Sequence, residues 1–350
     1  EGAARQVFAV AGPRGATALL WLVAGGVFAC WHAGRAGRRV AIASALLLMV
    51  AATPLPLPAG TGVAASSVPR ASGGRTMLPV RIVQHAPTPV EMAAIRFDPV
   101  AEQFHWDLLQ IRSDGAADRG RLVVWPEASL PRPWRVGRAA PRGLPAGEDV
   151  LFGAAFEQGD TVRNGILLWQ DEVLTIVQEK RHLVPWVERG VVRGVVRPPV
   201  SWGGVRIASA LCFEVLFSES MRSRAAMGAE VLVVLANDAY AGRGTVPGLH
   251  VRAARMRAVE NGLPVVFVQA TGPSAVIDHY GRVVASTRHG LVETLDVDVV
   301  VEGHGTPYRR WGDVVGALAA WSAAACAAAW AWSRSRPGSK GGEAAGVVVR

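Results

Sequence analysis

The sequence predicts an α/β domain that is held between membrane-spanning helices. Between residues 78 and 310, short runs rich in Val, Ile and Leu alternate with amphipathic stretches, which is the pattern of a sheet covered by helices. On both sides of this region lie uncharged apolar stretches of the length that crosses a hydrocarbon core. Half of the 350 residues are hydrophobic and the mean hydropathy is +0.24. These observations favour a layered domain anchored in a bilayer.

The N-terminal region, residues 1–58, is predicted to contain two transmembrane helices. Residues 15–34 and 40–58 carry no Lys, Arg, Asp or Glu, and a short basic loop separates them. A third uncharged stretch, rich in Ala and Trp, predicts a C-terminal transmembrane helix over residues 311–333, with a tail over 334–350. Because the sequence begins with Glu rather than Met, we expect the N-terminal membrane region to be incomplete.

The distribution of basic residues predicts the orientation of the chain. The loop between the first two spans and the segment after the third are both short and basic, which places them in the cytoplasm. The domain then faces the periplasm of a bacterium, from the inner membrane. A net charge of +9 suits nucleic acid or anionic lipid. Since no basic run contains interleaved aromatics and several arginines flank the spans, we expect a membrane partner and no nucleic acid.

The domain itself should follow a linker over residues 59–77, which is rich in Pro, Gly, Ser and Ala. Helical spacing predicts helices over 98–114, 218–228 and 248–262, and Gly262 closes the last of them. No Gly-rich nucleotide-binding pattern occurs in the sequence. Strands are predicted at 80–84, 121–125, 149–157, 164–170, 173–178, 204–215, 230–238, 264–269 and 292–299, and two strands joined by a hairpin-like turn at Tyr280-Gly281 are predicted over 274–287.

Reactive side chains lie at the ends of three of these strands. Glu127 comes after the first of them, in VVWPEASLP. Lys180 and His182 come after the second, in QEKRHLVPWVE, and Cys212 and Glu214 lie in ALCFE at the third. Functional residues in α/β folds collect at strand ends and in the loops that follow. The three segments are therefore candidates for one active site.

Cys212 is the only cysteine outside the predicted spans, so it has no partner for a disulfide within the domain. A reactive thiol needs a base, and a nearby cation lowers its pKa. Glu127 could be that base, and Lys180 could stabilise both the thiolate and a later oxyanion. The residues alone also allow a Cys212 that merely packs in a strand, a solvated Lys180, or a catalytic pair of Cys212 with His182.

Taken together, the three segments resemble the nitrilase superfamily of carbon–nitrogen hydrolases, and within it the apolipoprotein N-acyltransferases. VVWPEASLP resembles the segment around the catalytic Glu of that family, KRHLVPWVE its Lys motif, and CFE its nucleophile motif. NDAYAG and RAARMRAVENG are similar to the stretch that follows the nucleophile. Departures such as VQHAPTP and RNGILL are also typical of divergent relatives encoded with conjugative plasmids.

The resemblance implies an α/β/β/α sandwich and assigns a role to each matching residue. Glu127 is the expected general base, Lys180 the cation that stabilises an oxyanion, and Cys212 the nucleophile. His182 becomes structural, and no metal or organic cofactor is expected. Three further residues are expected to support or position the triad: Glu188, Phe213 and Glu214.

The implied activity is transfer of a fatty acyl group from a phospholipid, through a thioester on Cys212, to the α-amine of a lipoprotein. Phospholipid donor, lipoprotein acceptor and membrane are the expected partners. Two other functions stay open at the level of sequence. One is a nitrilase-like amidase, in which water resolves the same intermediate. The other is a membrane or conjugation accessory protein that keeps the fold without catalysis.

Overall fold

The computed structural model describes residues 76–239, 244–314 and 316–317, together with Ala9, Gly12, Pro13 and Thr17. In these parts of the chain, none of the helices combines the length and the apolar character needed to cross a membrane. The three predicted spans, over 15–34, 40–58 and 311–333, lie almost entirely outside the described residues. The same is true of the predicted linker and of the tail over 334–350.

The first sheet of the domain is mixed, with order β13–β1–β2–β4–β5–β6 and with β3 paired to β4. Its central strands β1, β2 and β4 run parallel, and the outer strands are antiparallel to their neighbours. The parallel strands therefore end at one common edge. The strands are β1 (Met77–Gln84), β2 (Leu122–Val124), β3 (Trp134–Arg135), β4 (Val150–Gln158), β5 (Thr161–Gln170), β6 (Val173–Glu179) and β13 (Glu293–Val300).

The second sheet has order β12–β11–β10–β9–β8–β7. Strands β8, β9 and β10 run parallel at its centre, and all six residues of β9 are buried. An unbroken apolar run such as that of β9 is typical of a parallel strand covered on both faces. The strands are β7 (Val200–Trp202), β8 (Val205–Leu211), β9 (Val231–Ala236), β10 (Val265–Gln269), β11 (Ala275–Ile277) and β12 (Val283–Ser286).

The two sheets pack face to face around a shared core. Val231, Val233 and Leu235 of β9 join Val80 and Ile82 of β1 in one apolar cluster between the sheets. The residues of β9 between them point to the opposite side, towards the helices, because successive side chains of a strand alternate between its faces. The side chains of β9 thus contribute to two apolar layers, one between the sheets and one beneath the helices.

Helices cover the outer faces and complete the predicted α/β/β/α arrangement. Trp106 and Leu109 of α2 pack on the first sheet, and Met221 of α3 and Ala254 of α4 pack on the second. The predicted sandwich fold is therefore confirmed. The helices are α1 (Pro89–Phe97), α2 (Pro99–Ser113), α3 (Ser218–Ala226), α4 (Val246–Asn261) and α5 (Pro307–Trp311).

Several local features differ from the sequence prediction, among them helix α1 and the strand that precedes Cys212. Helix α1 was not predicted, although the Thr88 side chain and Glu91 form a reciprocal cap and Pro89 occupies the first helical position, a recognisable start signal. The strand predicted over 204–215 ends at Leu211, and a 3₁₀ turn over Cys212–Leu216 follows it. Cys212 therefore lies at a strand end rather than within a strand.

Candidate active site

The side chains singled out by sequence converge where strands of both sheets end. Glu127 lies three residues beyond β2, Lys180 directly follows β6, and Cys212 directly follows β8. All three line one cavity of about 380 Å³, together with Glu188 and Asn164. The face-to-face packing of the sheets thus brings together residues that are up to 85 positions apart (212 − 127).

Glu127 is held by a tight backbone turn at the end of β2. Ser129 donates a hydrogen bond from its hydroxyl to the carbonyl of Pro126 at 2.7 Å, and its N–H donates to the carbonyl of Gly153 at 2.9 Å. A Cβ on Gly153 would lie 2.7 Å from the Cα of Glu127, so only glycine permits this approach. Ala128 adopts a φ of 61°, which turns the chain sharply after the carboxylate.

Lys180 joins two carboxylates in a buried cluster. Its Nζ donates to Oε1 of Glu127 at 2.9 Å and to the carboxylate of Glu188 at 3.1 Å. The side-chain amide of Asn164 donates to both of these carboxylates at 2.9 Å. Burial by itself would lower the pKa of Lys180, but the negative charges of Glu127 and Glu188 raise it above its usual value. Lys180 is therefore a fixed ammonium group.

Cys212 is a buried thiol, with only 2% of its surface exposed and a φ of 44°. Burial and the negative charges of Glu127 and Asp238 raise the pKa of Cys212 well above its usual value. Lys180 and a hydrogen bond from the backbone of Asn237 act in the opposite direction. From the sequence, a nearby cation is expected to lower the pKa of Cys212. Lys180 does lower it, but the opposite effect of burial is larger. The resting group is therefore a thiol that needs a base.

Glu214 does not join the triad but fixes the turn that carries Cys212. Its carboxylate is fully buried and receives hydrogen bonds from Arg224 at 2.9 Å, from the N–H of Leu211 at 3.0 Å and from the N–H of Arg181 at 3.1 Å. Burial would raise the pKa of Glu214, yet hydrogen bonds from His182 and the charge of Arg224 lower it to about 2. Glu214 thus connects the Lys180 loop to the Cys212 turn.

The other two predicted residues lie on the margin of this cluster. Phe213 makes an edge-to-face contact with Phe217, with ring centroids 5.0 Å apart. His182 stacks on Phe217 at 4.4 Å and its Nδ1 lies 3.6 Å from Oε1 of Glu214. The structure accordingly places His182 in the supporting layer, against Glu214 and Phe217.

Three side chains of the site were missed by sequence reasoning. Asn164 belongs to the segment RNGILL, which we treated as a departure from the family pattern. Asp238 lies two residues beyond the end of β9, and its Oδ1 is 3.9 Å from the sulfur of Cys212. His250 of α4 lies with Nδ1 2.9 Å from Oδ2 of Asp238. The resemblance of the segment NDAYAG to the family could have pointed to Asp238. Its contact with His250 depends on how α4 packs and has no local signal in the sequence.

These last residues also form the one grouping, among the residues that the structure describes, whose side chains are placed to hold a metal ion. The ligand atoms of Cys212, Asp238 and His250 lie within 4.8 Å of one another, and all three residues are buried. Thiolate, carboxylate and imidazole are ligands that zinc accepts. Because Cys212 is also the candidate nucleophile, a metal bound there would occupy the reacting atom.

Comparison with known proteins shows which families this domain is similar to. The carbon–nitrogen hydrolase family matches residues 148–304, a range that includes Lys180, Glu188 and Cys212. Over these residues the chain is similar to carbon–nitrogen hydrolases. A CN-hydrolase superfamily protein from Xanthomonas campestris shares the fold of this domain, with a TM-score of 0.51, 20% identity and coverage of 64% of this chain and 91% of that chain.

Curated relatives of the carbon–nitrogen hydrolase domain carry the name apolipoprotein N-acyltransferase. The protein of Vibrio vulnificus is 35% identical over 61% of this chain and 48% of its own length. That of Caulobacter vibrioides is 28% identical over 88% of this chain and 63% of its own length. The chain spans about half the length of the curated relatives it matches.

Proposed function

We propose that this chain is part of a membrane-bound N-acyltransferase, which moves a fatty acyl group from a phospholipid to the α-amine of an apolipoprotein. In this proposal residues 78–310 form the catalytic domain, the predicted spans over 15–34, 40–58 and 311–333 anchor it in a bacterial inner membrane, and the domain faces the periplasm. Phospholipid and lipoprotein are then its two substrates. The names of the curated relatives support this choice.

One observation carries the proposal: a buried thiol, an ammonium group and a carboxylate open into the same cavity. Lys180 is bonded to Glu127 at 2.9 Å, and Cys212 lines the cavity with both. A thiol is the nucleophile, a carboxylate in hydrogen-bond reach is a general base, and a fixed cation stabilises developing negative charge. These are the groups that transfer of an acyl group through a thioester requires.

The first half-reaction transfers the acyl group to sulfur. Glu127 accepts the proton of the Cys212 thiol, and the sulfur attacks the carbonyl carbon of the ester. Lys180 and the backbone N–H of Phe213 stabilise the oxyanion of the tetrahedral intermediate. The intermediate collapses by breaking the ester C–O bond, and the leaving alkoxide takes the proton from Glu127. A lysophospholipid departs and the acyl group remains as a thioester on Cys212.

The second half-reaction transfers the acyl group to nitrogen. The neutral α-amine of the acceptor attacks the thioester carbon while Glu127 accepts its proton. The C–S bond breaks, the new amide departs, and the thiolate of Cys212 recovers the proton from Glu127. Glu188 holds Lys180 in place by accepting a hydrogen bond from it at 3.1 Å, and Asn164 holds Glu127 by donating one to it at 2.9 Å.

The composition of the cavity wall supports a fatty acyl substrate. Helix α1 and the loop after β6 border the cavity with apolar side chains. Phe97 and Trp186, on these same two segments, are large apolar side chains that are each 84% exposed. Arg96 also lines the cavity, and a guanidinium group suits the phosphate of a lipid headgroup. The apolar lining residues are Pro89, Met92, Ala93, Val184, Val187 and Ala239.

An amidase is the second candidate function, because the same cluster supports it. If water replaces the amine in the second half-reaction, Glu127 activates that water and a carboxylic acid departs. The polar floor formed by Glu127, Lys180 and Cys212 serves both reactions equally. The apolar wall favours the acyltransferase, since a small polar amide would leave that surface uncovered.

Detection of the covalent intermediate tests the proposal. The full chain, reconstituted in vesicles that contain an isotope-labelled phospholipid, is digested and analysed by mass spectrometry. We expect a labelled acyl group on Cys212 that hydroxylamine removes, and no such adduct in Cys212→Ala. Glu127→Gln should form the adduct about 10²- to 10⁴-fold more slowly, which is the usual contribution of a general base. Cys326→Ala is the matched control and should retain the adduct.

The outcome also separates the other candidate functions. Addition of a peptide with a lipidated N-terminal cysteine should move the label from Cys212 to the α-amine of that peptide. If the wild-type chain forms no adduct but hydrolyses small amides, the amidase is correct. If it does neither, the domain is a non-catalytic accessory protein, and the proposed function is wrong.

A further inference from the structure

Helix α1 forms one wall of the cavity through a single face. Side chains three and four positions apart lie on the same face of a helix, and the cavity residues of α1 follow this spacing. They are Pro89, Met92, Ala93 and Arg96. Of the nine residues of the helix, only Ile95 is buried. The face is thus apolar over most of its length and ends in a guanidinium group, to which the mechanism described above assigns no hydrogen bond.

The polar side chains on the floor of the cavity are bonded mainly to one another. Lys180 donates to two carboxylates, and the amide of Asn164 donates to the same two. Glu188 also accepts the N–H of Val184 at 2.7 Å. An ammonium group has three donors, so Lys180 keeps one, which the mechanism uses for the oxyanion. Further hydrogen bonds to a substrate must therefore come from the walls.

Asn237 supplies such a donor from the second sheet. It directly follows β9 and lines the cavity. Its Oδ1 accepts the N–H of Ala239 at 3.1 Å, which fixes the orientation of the amide. In the part of the chain that the structure describes, Nδ2 has as its partner the sulfur of Met92 on α1, at 3.9 Å. A thioether is a weak acceptor, so Nδ2 is available to a ligand.

Arg96 supplies a second donor, from α1. It lies four residues beyond Met92 on the same face, which is about 6 Å along the helix axis, and its side chain is exposed. Among the described residues, no carboxylate pairs with its guanidinium, since Glu127 and Glu188 are bonded to Lys180. A guanidinium group binds a phosphate through two parallel N–H donors. The cavity thus presents a cation at one end of α1 and an amide donor opposite its middle.

We propose that Arg96 and Asn237 form the site that binds the polar part of a glycerophospholipid. The guanidinium group of Arg96 binds the phosphodiester, and Nδ2 of Asn237 donates to an ester carbonyl oxygen. The glycerol unit joins these two groups of the lipid through a few covalent bonds, which matches donors about one helical turn apart. The proposal rests on the proposed function, because it names the groups by which the acyl donor is selected.

The binding of short-chain lipids tests this site without any reaction. The full chain with Cys212→Ala, held in amphipol, is the parent protein, and affinities are measured by isothermal titration calorimetry. Three ligands with hexyl-length chains are compared: dihexanoylphosphatidylcholine, its diether analogue without carbonyl oxygens, and dihexanoylglycerol, which lacks the phosphate. Arg96→Gln and Asn237→Ala are each introduced into the parent. Arg138→Gln is the matched control, because Arg138 is also exposed but does not line the cavity.

We expect each variant to affect only the ligands that carry its partner group. Arg96→Gln should weaken the binding of both phosphate-bearing lipids by about tenfold or more, which corresponds to a hydrogen bond to a charged group, and leave dihexanoylglycerol unchanged. Asn237→Ala should weaken the binding of the two diesters by roughly three- to tenfold, as for a neutral hydrogen bond, and leave the diether unchanged. Arg138→Gln should bind all three ligands as the parent does.

Three results would overturn the proposal: a parent that binds none of the lipids, an Arg96→Gln variant that binds phosphate-bearing lipids as well as the parent, or an Asn237→Ala variant that loses as much affinity for the diether as for the diester. The last would show that Asn237 only shapes the wall. A chain that forms the acyl adduct but binds lipids unchanged in both variants contradicts this site alone. A chain that shows the expected binding pattern but forms no adduct contradicts the acyltransferase alone.

Discussion

The two sheets contribute to the active site in different ways. The first sheet supplies Glu127, Asn164 and Lys180, which are joined by hydrogen bonds of 2.9 Å. The second sheet supplies Cys212 and Asp238, and the sulfur of Cys212 lies 3.9 Å from Oδ1 of Asp238. The first half is a fixed set of charges, and the second half holds a neutral thiol beside a carboxylate.

This difference assigns separate tasks to the two sheets. The second sheet carries the nucleophile as a thiol, and the first sheet supplies the charges that act during the reaction. Charges that are already bonded to one another need no rearrangement when an oxyanion forms, which is the basis of electrostatic preorganisation. A thiol with a raised pKa does not react until a base accepts its proton. The division predicts that changes in the first sheet affect acyl transfer, while changes around Cys212 affect the reactivity of the free thiol.

The largest effect is expected when Lys180 is replaced by methionine. Without the ammonium group, the carboxylates of Glu127 and Glu188 lose the cation that joins them. The oxyanion also loses its cation. We expect the rate of thioester formation in Lys180→Met to fall by about 10³-fold or more, since the loss of a single oxyanion donor alone reduces rates by about 10²- to 10³-fold. Rapid-quench measurement of the Cys212 adduct checks this.

Arg163 offers a matched control for Lys180 on the same sheet. It precedes Asn164 in β5 and pairs with Glu179, the residue before Lys180, at 2.6 Å. Glu179 keeps a second partner, Arg197, also at 2.6 Å. Arg163→Met should therefore leave thioester formation within about twofold of the wild type, because exposed or redundant pairs contribute little. Equal losses in both variants would contradict a specific role for Lys180.

The next largest effect is expected on the free energy of unfolding, when the buried ion pair between Glu214 and Arg224 is removed. The pKa of Glu214 lies at about 2, below its usual value of 4.5, so the folded state favours the ionised form. Its contribution is complete above about pH 4.5 and is lost as the pH falls towards 2, with a magnitude of about 3 kcal/mol. Glu214→Gln should lose a similar amount at pH 7, measured by urea unfolding of the full chain.

Glu219 serves as the control for Glu214. It lies on α3 and pairs with Arg222 at 2.6 Å, but its side chain is 65% exposed. Glu219→Gln should change the free energy of unfolding by less than about 1 kcal/mol, as is usual for exposed ion pairs. If Glu214→Gln proved as mild as Glu219→Gln, the buried carboxylate would not be what holds the Cys212 turn to the Lys180 loop.

The sequence predicts the parts of this molecule that follow from local periodicity and from motif. Alternating apolar residues located most strands, and Gly262 marked the end of α4 at Asn261. Helix α1 was missed because its nine residues bury only Ile95, so it lacks the apolar stripe on which the prediction relied. Its start signal lies in the pair of Thr88 and Glu91, which periodicity does not detect.

The candidate site was also predictable from the sequence only in part. Glu127, Lys180 and Cys212 were predicted because each lies in a distinctive local segment, and their roles remain a prediction that the experiments above test. The net direction of the pKa of Cys212 was not predictable, since it depends on burial and on Asp238 across a parallel strand pair. The contact between Asp238 and His250 depends on how α4 packs against β9, which neither segment encodes alone.

The smallest effect is expected for Asn164, whose amide donates to both Glu127 and Glu188. Asn164→Ala removes these donors but leaves Lys180 in place, so both carboxylates keep their cation. A hydrogen bond to a charged group contributes about 1.5–3 kcal/mol, and we expect thioester formation to slow by roughly 10- to 100-fold. Asn261→Ala is the control, because the amide of Asn261 is also buried but donates to a backbone carbonyl of α4. If Asn164→Ala slowed thioester formation no more than Asn261→Ala does, the hydrogen bonds that join the groups of the first sheet would not contribute to acyl transfer, and the division of tasks between the two sheets would be wrong.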